Sequence, residues 1–210
     1  MARSPSPVNV DVGAEMARVP SNDRLAAAGI SHVHGGGADY LHTLIAKILD
    51  QHHAYLKHEL PALEALLRGI IDLESGTFRA RASDLLPLFL RFRKELEGHM
   101  GREEVTLFPL IERLEAAIAE GRPAPRNSFG PLANAIQFMN EDHGFENKLL
   151  GMMAAITDGF AIPPGTSEGY ADLMDRLKAM KLDLAEHIRK EDEMLFPEAI
   201  RLEKGEHLSE

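Results

Sequence analysis

One eleven-residue pattern is written twice in this chain, and it restricts the fold more than any other feature: His99-Met-Gly-Arg-Glu-Glu-Val-Thr-Leu-Phe-Pro109 and His187-Ile-Arg-Lys-Glu-Asp-Glu-Met-Leu-Phe-Pro197. Both copies read H-x-x-x-E, followed by L-F-P at the same distance. On a helix, four residues advance about 6 Å and turn about 40° past a full rotation, so each imidazole shares a face with its carboxylate. Each copy is therefore a bidentate metal-binding face. Two such faces make either two mononuclear sites or one shared centre.

Four long segments around these motifs show 3.6-residue apolar periodicity, at about 38 to 74, 83 to 120, 131 to 159 and 167 to 204. Glu74-Ser-Gly-Thr, Gly121-Arg-Pro-Ala-Pro125 and Ile162-Pro-Pro-Gly165 break them, with Ser83 and Ser167 in N-cap positions. Short connections favour antiparallel neighbours, so the expected fold is all-α, an antiparallel up-down four-helix bundle over 38–205. Pro61, Pro109 and Pro197 fall inside these helices, where each is expected to kink or loosen the backbone. Residues 1–37, rich in Pro, Ser and Gly and ending in Gly35-Gly36-Gly37, read as a flexible leader.

The apolar stripes locate polar intruders. The first helix runs Ile45, Leu49, then His53, then Leu56, Leu60, Leu63 and Leu67; the second runs Leu85, Phe89, Phe92, Leu96, then His99 and Glu103, then Leu107. The third passes from Ile136 and Met139 to His143 and resumes at Leu150, and the fourth from Met180 and Leu184 to His187 and Glu191, resuming at Leu195. Unpaired carboxylates on a core face cost several kcal/mol, so something must compensate them. His53 and His143 are 90 residues apart, His99 and His187 are 88 apart, and the chain reads as a duplicated helical hairpin. Helices packed 8 to 10 Å apart bring such side chains to a common centre. Four imidazoles and two carboxylates suit a pair of transition-metal ions.

The chain has no cysteine, so any metal must bind through His, Asp and Glu. Mixed nitrogen and oxygen donors fit iron, manganese or zinc, and a carboxylate-bridged pair in a helical bundle favours iron. A net charge of -10 with acids spread along the chain argues against a nucleic-acid surface and against a polybasic membrane anchor. No apolar run reaches the roughly 18 residues of a membrane span, and a cytoplasmic protein is expected.

These motifs, with His52-His-Ala-Tyr-Leu-Lys-His-Glu-Leu-Pro61 and Ile136-Gln-Phe-Met-Asn-Glu-Asp-His143, resemble the hemerythrin-like (HHE cation-binding) family over about residues 38 to 204. Within it the chain resembles the di-iron proteins that repair iron–sulfur centres after nitrosative or oxidative stress. The resemblance implies two non-haem iron ions, carboxylate- and oxo- or hydroxo-bridged, on His53, His99, Glu103, His143, His187 and Glu191. It implies that the two glutamates bridge and that each half of the chain supplies two histidines to one iron. Small molecules (nitric oxide, oxygen or peroxide) and damaged iron–sulfur proteins are the implied partners. The alternative is reversible oxygen or iron binding, as a sensor or store without turnover.

Two departures from the family matter. Oxygen carriers place a second histidine four residues after the third-helix ligand, where this chain has Asn147; many repair proteins carry an N-terminal Cys-Cys module, which this chain lacks. Asp192, five residues after His187, is a lesser ligand candidate beside Glu191. Glu95 and Asp142 are candidates for lining access to the metals. His52 and His58 read as surface histidines, His42 as structural or solvent-facing, and His32, His34 and His207 as leader and tail residues. The methionines, including Met139, Met152, Met153, Met174 and Met180, read as core packing.

Overall fold

The computed structural model describes residues 40–206 apart from 126, 128 and 129; the expected leader at 1–37 and His207 lie outside them. Among the described residues the chain runs through four helices, α1 (40–73), α2 (76–119), α3 (Leu132–Ile156) and α4 (168–203). α1 and α3 each pack against α2 and α4. This is the four-helix bundle expected, with one boundary corrected. α2 starts at Gly76 rather than at 83, and Ser83 lies within it, its hydroxyl donating to the Arg79 carbonyl at 2.8 Å. Only Glu74 and Ser75 then link α1 to α2, and Gly76 takes φ +61°, a left-handed conformation that lets so short a link reverse the chain. Ser167 does cap α4, accepting from the Tyr170 N–H.

The two halves repeat each other in their details. Glu115 of α2 accepts the Leu41 and His42 N–H groups at the start of α1, and Glu203 of α4 accepts the Leu132 N–H at the start of α3. A carboxylate at a helix N-terminus satisfies orphan donors and the positive end of the helix dipole. α2 and α4 also end alike. Arg122 N–H reaches the Ala117 carbonyl and Glu206 N–H the Arg201 carbonyl, each one residue past a glycine with positive φ, Gly121 or Gly205.

Three helices open into single π turns, at Leu49–His53, Glu103–Leu107 and Glu191–Leu195. In each, the next N–H reaches back five residues: Ala54 to Leu49, Phe108 to Glu103, Phe196 to Glu191. Pro109 and Pro197 directly follow two of these, so the widened turn makes room where a proline ring would press on the carbonyl four residues earlier. Pro61 and Pro87 are carried within regular α-helix.

The core is divided. One block packs Leu56 to Ile70 of α1 with Leu85 to Met100 of α2, Leu149 to Met153 of α3 and Tyr170 to Leu184 of α4. The other packs Leu41 to Ile48, Leu107 to Leu114, Leu132 to Met139 and Leu195 to Ala199. Between them, at mid-height, every helix contributes a buried polar side chain. No described helix is long and apolar enough to cross a membrane.

Candidate metal centre

All six expected ligands lie in that polar layer, each 3% exposed or less. They fall into two overlapping groups, His53, Glu103, His187 and Glu191, and His99, Glu103, His143 and Glu191, each offering ligand atoms within 4.8 Å of one another. Glu103 turns Oε2 toward His53 Nε2 at 3.3 Å and Oε1 toward His99 Nε2 at 3.4 Å. Glu191 turns Oε1 toward His187 Nε2 at 2.8 Å and Oε2 toward His143 Nε2 at 3.1 Å. Each carboxylate thus spans both groups. The resemblance had assigned each half's two histidines to one metal, and the geometry corrects this: His53 pairs with His187 and His99 with His143, each across the halves. Equivalent helices of a duplicated hairpin stand diagonally, so α1 meets α4 and α2 meets α3.

The outer ring nitrogens of the first histidine in each half are held alike. His53 Nδ1 pairs with Glu104 at 2.7 Å and His143 Nδ1 with Asp192 at 3.1 Å. Asp192, the lesser ligand candidate, therefore stands behind a histidine rather than between the groups. A carboxylate on Nδ1 fixes that nitrogen as the N–H and presents the Nε2 lone pair inward.

The donor atoms fit a metal. Both oxygens of Glu103, His99 Nε2, His143 Nε2 and Glu191 Oε2 are buried without a hydrogen-bond partner, a cost that a bound cation removes. His53 Nε2 and His187 Nε2 stand 3.2 Å apart. Imidazole–metal bonds of about 2.1 Å at roughly a right angle separate two nitrogens by about 3 Å, which matches.

Charge in the layer is strongly coupled. Burial works against a charged His99, yet Glu103, Asp142 and Glu146 outweigh it and push the imidazole up to about 11. His143, also opposed by burial, is pushed up to about 9 by Asp192 and Glu191. Burial alone would raise Glu191, but His187 and His143 hold it well below the usual carboxylate range.

Several flanking residues differ from expectation. His52, expected at the surface, is 4% exposed. The π turn at Leu49–His53 brings two consecutive residues inward, and His52 stacks on His187 with ring centroids 5.4 Å apart while bonding Asp183 and Lys190. His58 and His42 are exposed as expected, His42 paired with Glu112. Met152, expected in the core, instead faces solvent, while Met139, Met153, Met174 and Met180 are buried. Asp142 is part-exposed, bonded to Arg102 and 3.6 Å from His99 Nδ1. Two further carboxylates are buried among the described residues. Glu59 is answered by a two-pronged Arg176 at 2.7 and 2.9 Å, whereas neither oxygen of Glu146 has a hydrogen-bond partner. Glu146 was missed because the third stripe was followed from His143 directly to Leu150; a residue one turn before Leu150 also faces inward.

Four helices around a buried imidazole and carboxylate layer define a class, the metal-binding helical bundle. Residues 44–126 match the hemerythrin HHE cation binding domain family. The matched segment carries His53, His99 and Glu103, and the second half supplies their repeats. The chain is 29% identical over 163 residues to the iron-sulfur cluster repair protein YtfE of Edwardsiella ictaluri, covering 76% of this chain and 66% of that protein. It is 27% identical over 149 residues to the iron-sulfur cluster repair protein DnrN of Neisseria gonorrhoeae, covering 71% and 85%. A Yersinia pestis YtfE is 28% identical over 164 residues, with 77% and 66% covered. The chain thus spans just under two thirds of the length of the Edwardsiella and Yersinia relatives.

Proposed function

We propose that the protein holds two iron ions, one between His53 and His187 and one between His99 and His143, and that it serves in nitrosative or oxidative stress by restoring damaged iron–sulfur centres. The observation that carries the two-ion reading is the placement of Glu103 and Glu191, each with one oxygen toward either histidine pair. The names of the relatives support the repair role. Manganese or zinc would fit the same donors; a carboxylate-bridged pair in a helical bundle favours iron.

Bound iron supplies one-electron redox chemistry and an open position for nitric oxide, oxygen or peroxide. The chain's own residues prepare for this. Glu104 and Asp192 orient His53 and His143 from behind. Glu191 stays anionic over the whole working pH range and so receives a cation without first losing a proton. The apolar blocks on either side keep bulk water from the layer, which strengthens every electrostatic interaction inside it. Asn147 is exposed, so the position at which oxygen carriers add an imidazole faces solvent here, against dedicated oxygen carriage.

Metal quantitation and spectroscopy on anaerobically purified protein, before and after nitric oxide and oxygen, test the reading. Two irons per chain, a spectrum altered by nitric oxide, and recovery of a nitric-oxide-inactivated iron–sulfur enzyme are expected. Less than about one ion per chain, after expression with ample iron, overturns it. A stable, reversible oxygen-dependent absorption band without repair would point to carriage instead.

A further inference from the structure

The internal duplication fails at one buried position. Glu146 lies three residues after His143, and its counterpart, three residues after His53, is Leu56. Leu56 is fully buried in the apolar core; Glu146 is 1% exposed, a carboxylate with neither oxygen hydrogen-bonded. Its nearest ring nitrogen is His99 Nδ1, at 4.0 Å, with Asp142 on the same nitrogen at 3.6 Å. Neither His99 Nδ1 nor the equivalent nitrogen in the other group, His187 Nδ1, has a hydrogen-bond partner among the described residues, but carboxylates face the first whereas the His187 ring lies flat against His52. So the two histidines that precede the bridging glutamates are backed differently, one by carboxylates and one by a neutral ring face.

Charges beyond the ligands divide the same way. Behind His99 and His143 stand Asp142, Glu146 and Asp192, offset among the described residues by Arg102. Behind His53 and His187 stand Glu104 and, through His52, Asp183, offset by Lys57 and Lys190. The first surround has an excess of negative charge and the second is balanced. A cleft of about 520 Å³ between α2 and α3 is lined by Arg102, Leu107 and Met139 but, among the described residues, by none of the six expected ligands. A cleft of about 330 Å³ between α1 and α2 is lined by His53, Lys57, Glu104 and Phe108, and so reaches the histidine of the balanced side.

Given the two-ion reading above, we infer that the two positions hold their cations unequally: the His99–His143 position retains its ion, secured by Glu146 behind His99, and the His53–His187 position is where ions enter and leave. Glu146 is a positioning residue. Its carboxylate, with that of Asp142, favours the Nδ1–H form of His99, presents Nε2 to the ion and makes it a stronger donor. The same negative excess attracts a dication in a water-poor site. A protein that gives iron to damaged centres needs one such exchangeable position.

Titration of cobalt(II) chloride into the metal-free full-length protein, followed by visible absorption against a competing chelator, reads both constants. Two steps at least about tenfold apart are expected, with His53→Ala keeping only the tighter and His143→Ala only the weaker. Glu146→Leu, which copies the residue at 56, should weaken the tighter step by about 10- to 100-fold and leave the weaker one unchanged. Glu146→Gln, of unchanged size, should act in the same direction and covers the case in which the leucine variant misfolds. Equal affinities in the unaltered protein, or a separation that survives both Glu146 variants, overturn the inference and leave two-ion binding standing. Fewer than two cobalt ions per chain overturn both.

Discussion

His53 and His187 bring their Nε2 atoms to 3.2 Å of each other across 134 residues of chain. They come from opposite halves of the duplication, so the metal position proposed between them depends on α1 meeting α4. His187→Ala should therefore remove one ion per chain and leave the other, with helical circular dichroism retained. Elemental analysis beside protein quantitation checks this, and two ions remaining would show that His187 is not a ligand.

Glu103 and Glu191 each face both histidine pairs. Replacing both by Ala should therefore abolish loading at both positions rather than halve it. Iron content that stays at two per chain would refute their assignment as shared ligands.

Metal loading should release protons. In the metal-free layer His99 is pushed up to about 11 and His143 to about 9, so at pH 7.5 both are charged, whereas a metal-bound imidazole has lost one proton. About two protons per chain should leave these residues on loading, and affinity should rise with pH up to about 9 and more gently to about 11. The stability these charged imidazoles lend the metal-free fold is full below their ordinary value of 6.5 and is lost as pH rises through 9 and then 11. Calorimetry in buffers of different ionisation enthalpy counts the protons; no net release at pH 7.5 would contradict the charge assignment.

Burial pushes Glu146 up from 4.5 to about 7. A carboxyl raised in the folded state costs nothing below pH 4.5 and progressively more up to 7, reaching about 3 kcal/mol at 1.36 kcal/mol per unit. Metal-free Glu146→Gln should therefore gain on the unaltered protein by up to about 3 kcal/mol between pH 4.5 and pH 8. Urea unfolding at both pH values measures it, and a difference that does not change with pH would remove the basis for the claim.

Much of this was legible in the sequence because helix period and internal repetition report the same thing. A stripe broken by His53, by His99 and Glu103, by His143, and by His187 and Glu191 places six polar groups at one height without any knowledge of tertiary contacts. Which histidine partners which was not legible, since spacing along a helix does not say which neighbour it faces. The first turns of α2 do carry the inward stripe, in Phe78 and Ala82, but Ser83 reads as an N-cap and so moved the expected start of the helix to 83. The π turns left a trace in Pro109 and Pro197, but the one before Ala54 has no proline behind it, and it is the one that buries His52. Glu146 sat on its stripe in plain view, overlooked because a lone glutamate four residues before a leucine reads as ordinary helix surface.

The division of the core into two apolar blocks has a consequence for how such a chain can change over generations. Cores accept volume-conserving exchanges among apolar residues at little cost. Here nearly all the core lies in blocks that hold none of the six proposed ligands, so their leucines, methionines and phenylalanines can be reshuffled while those six residues keep their height along the helices. Drift to the 27–29% identity seen with the repair proteins is thereby compatible with an unaltered inner layer.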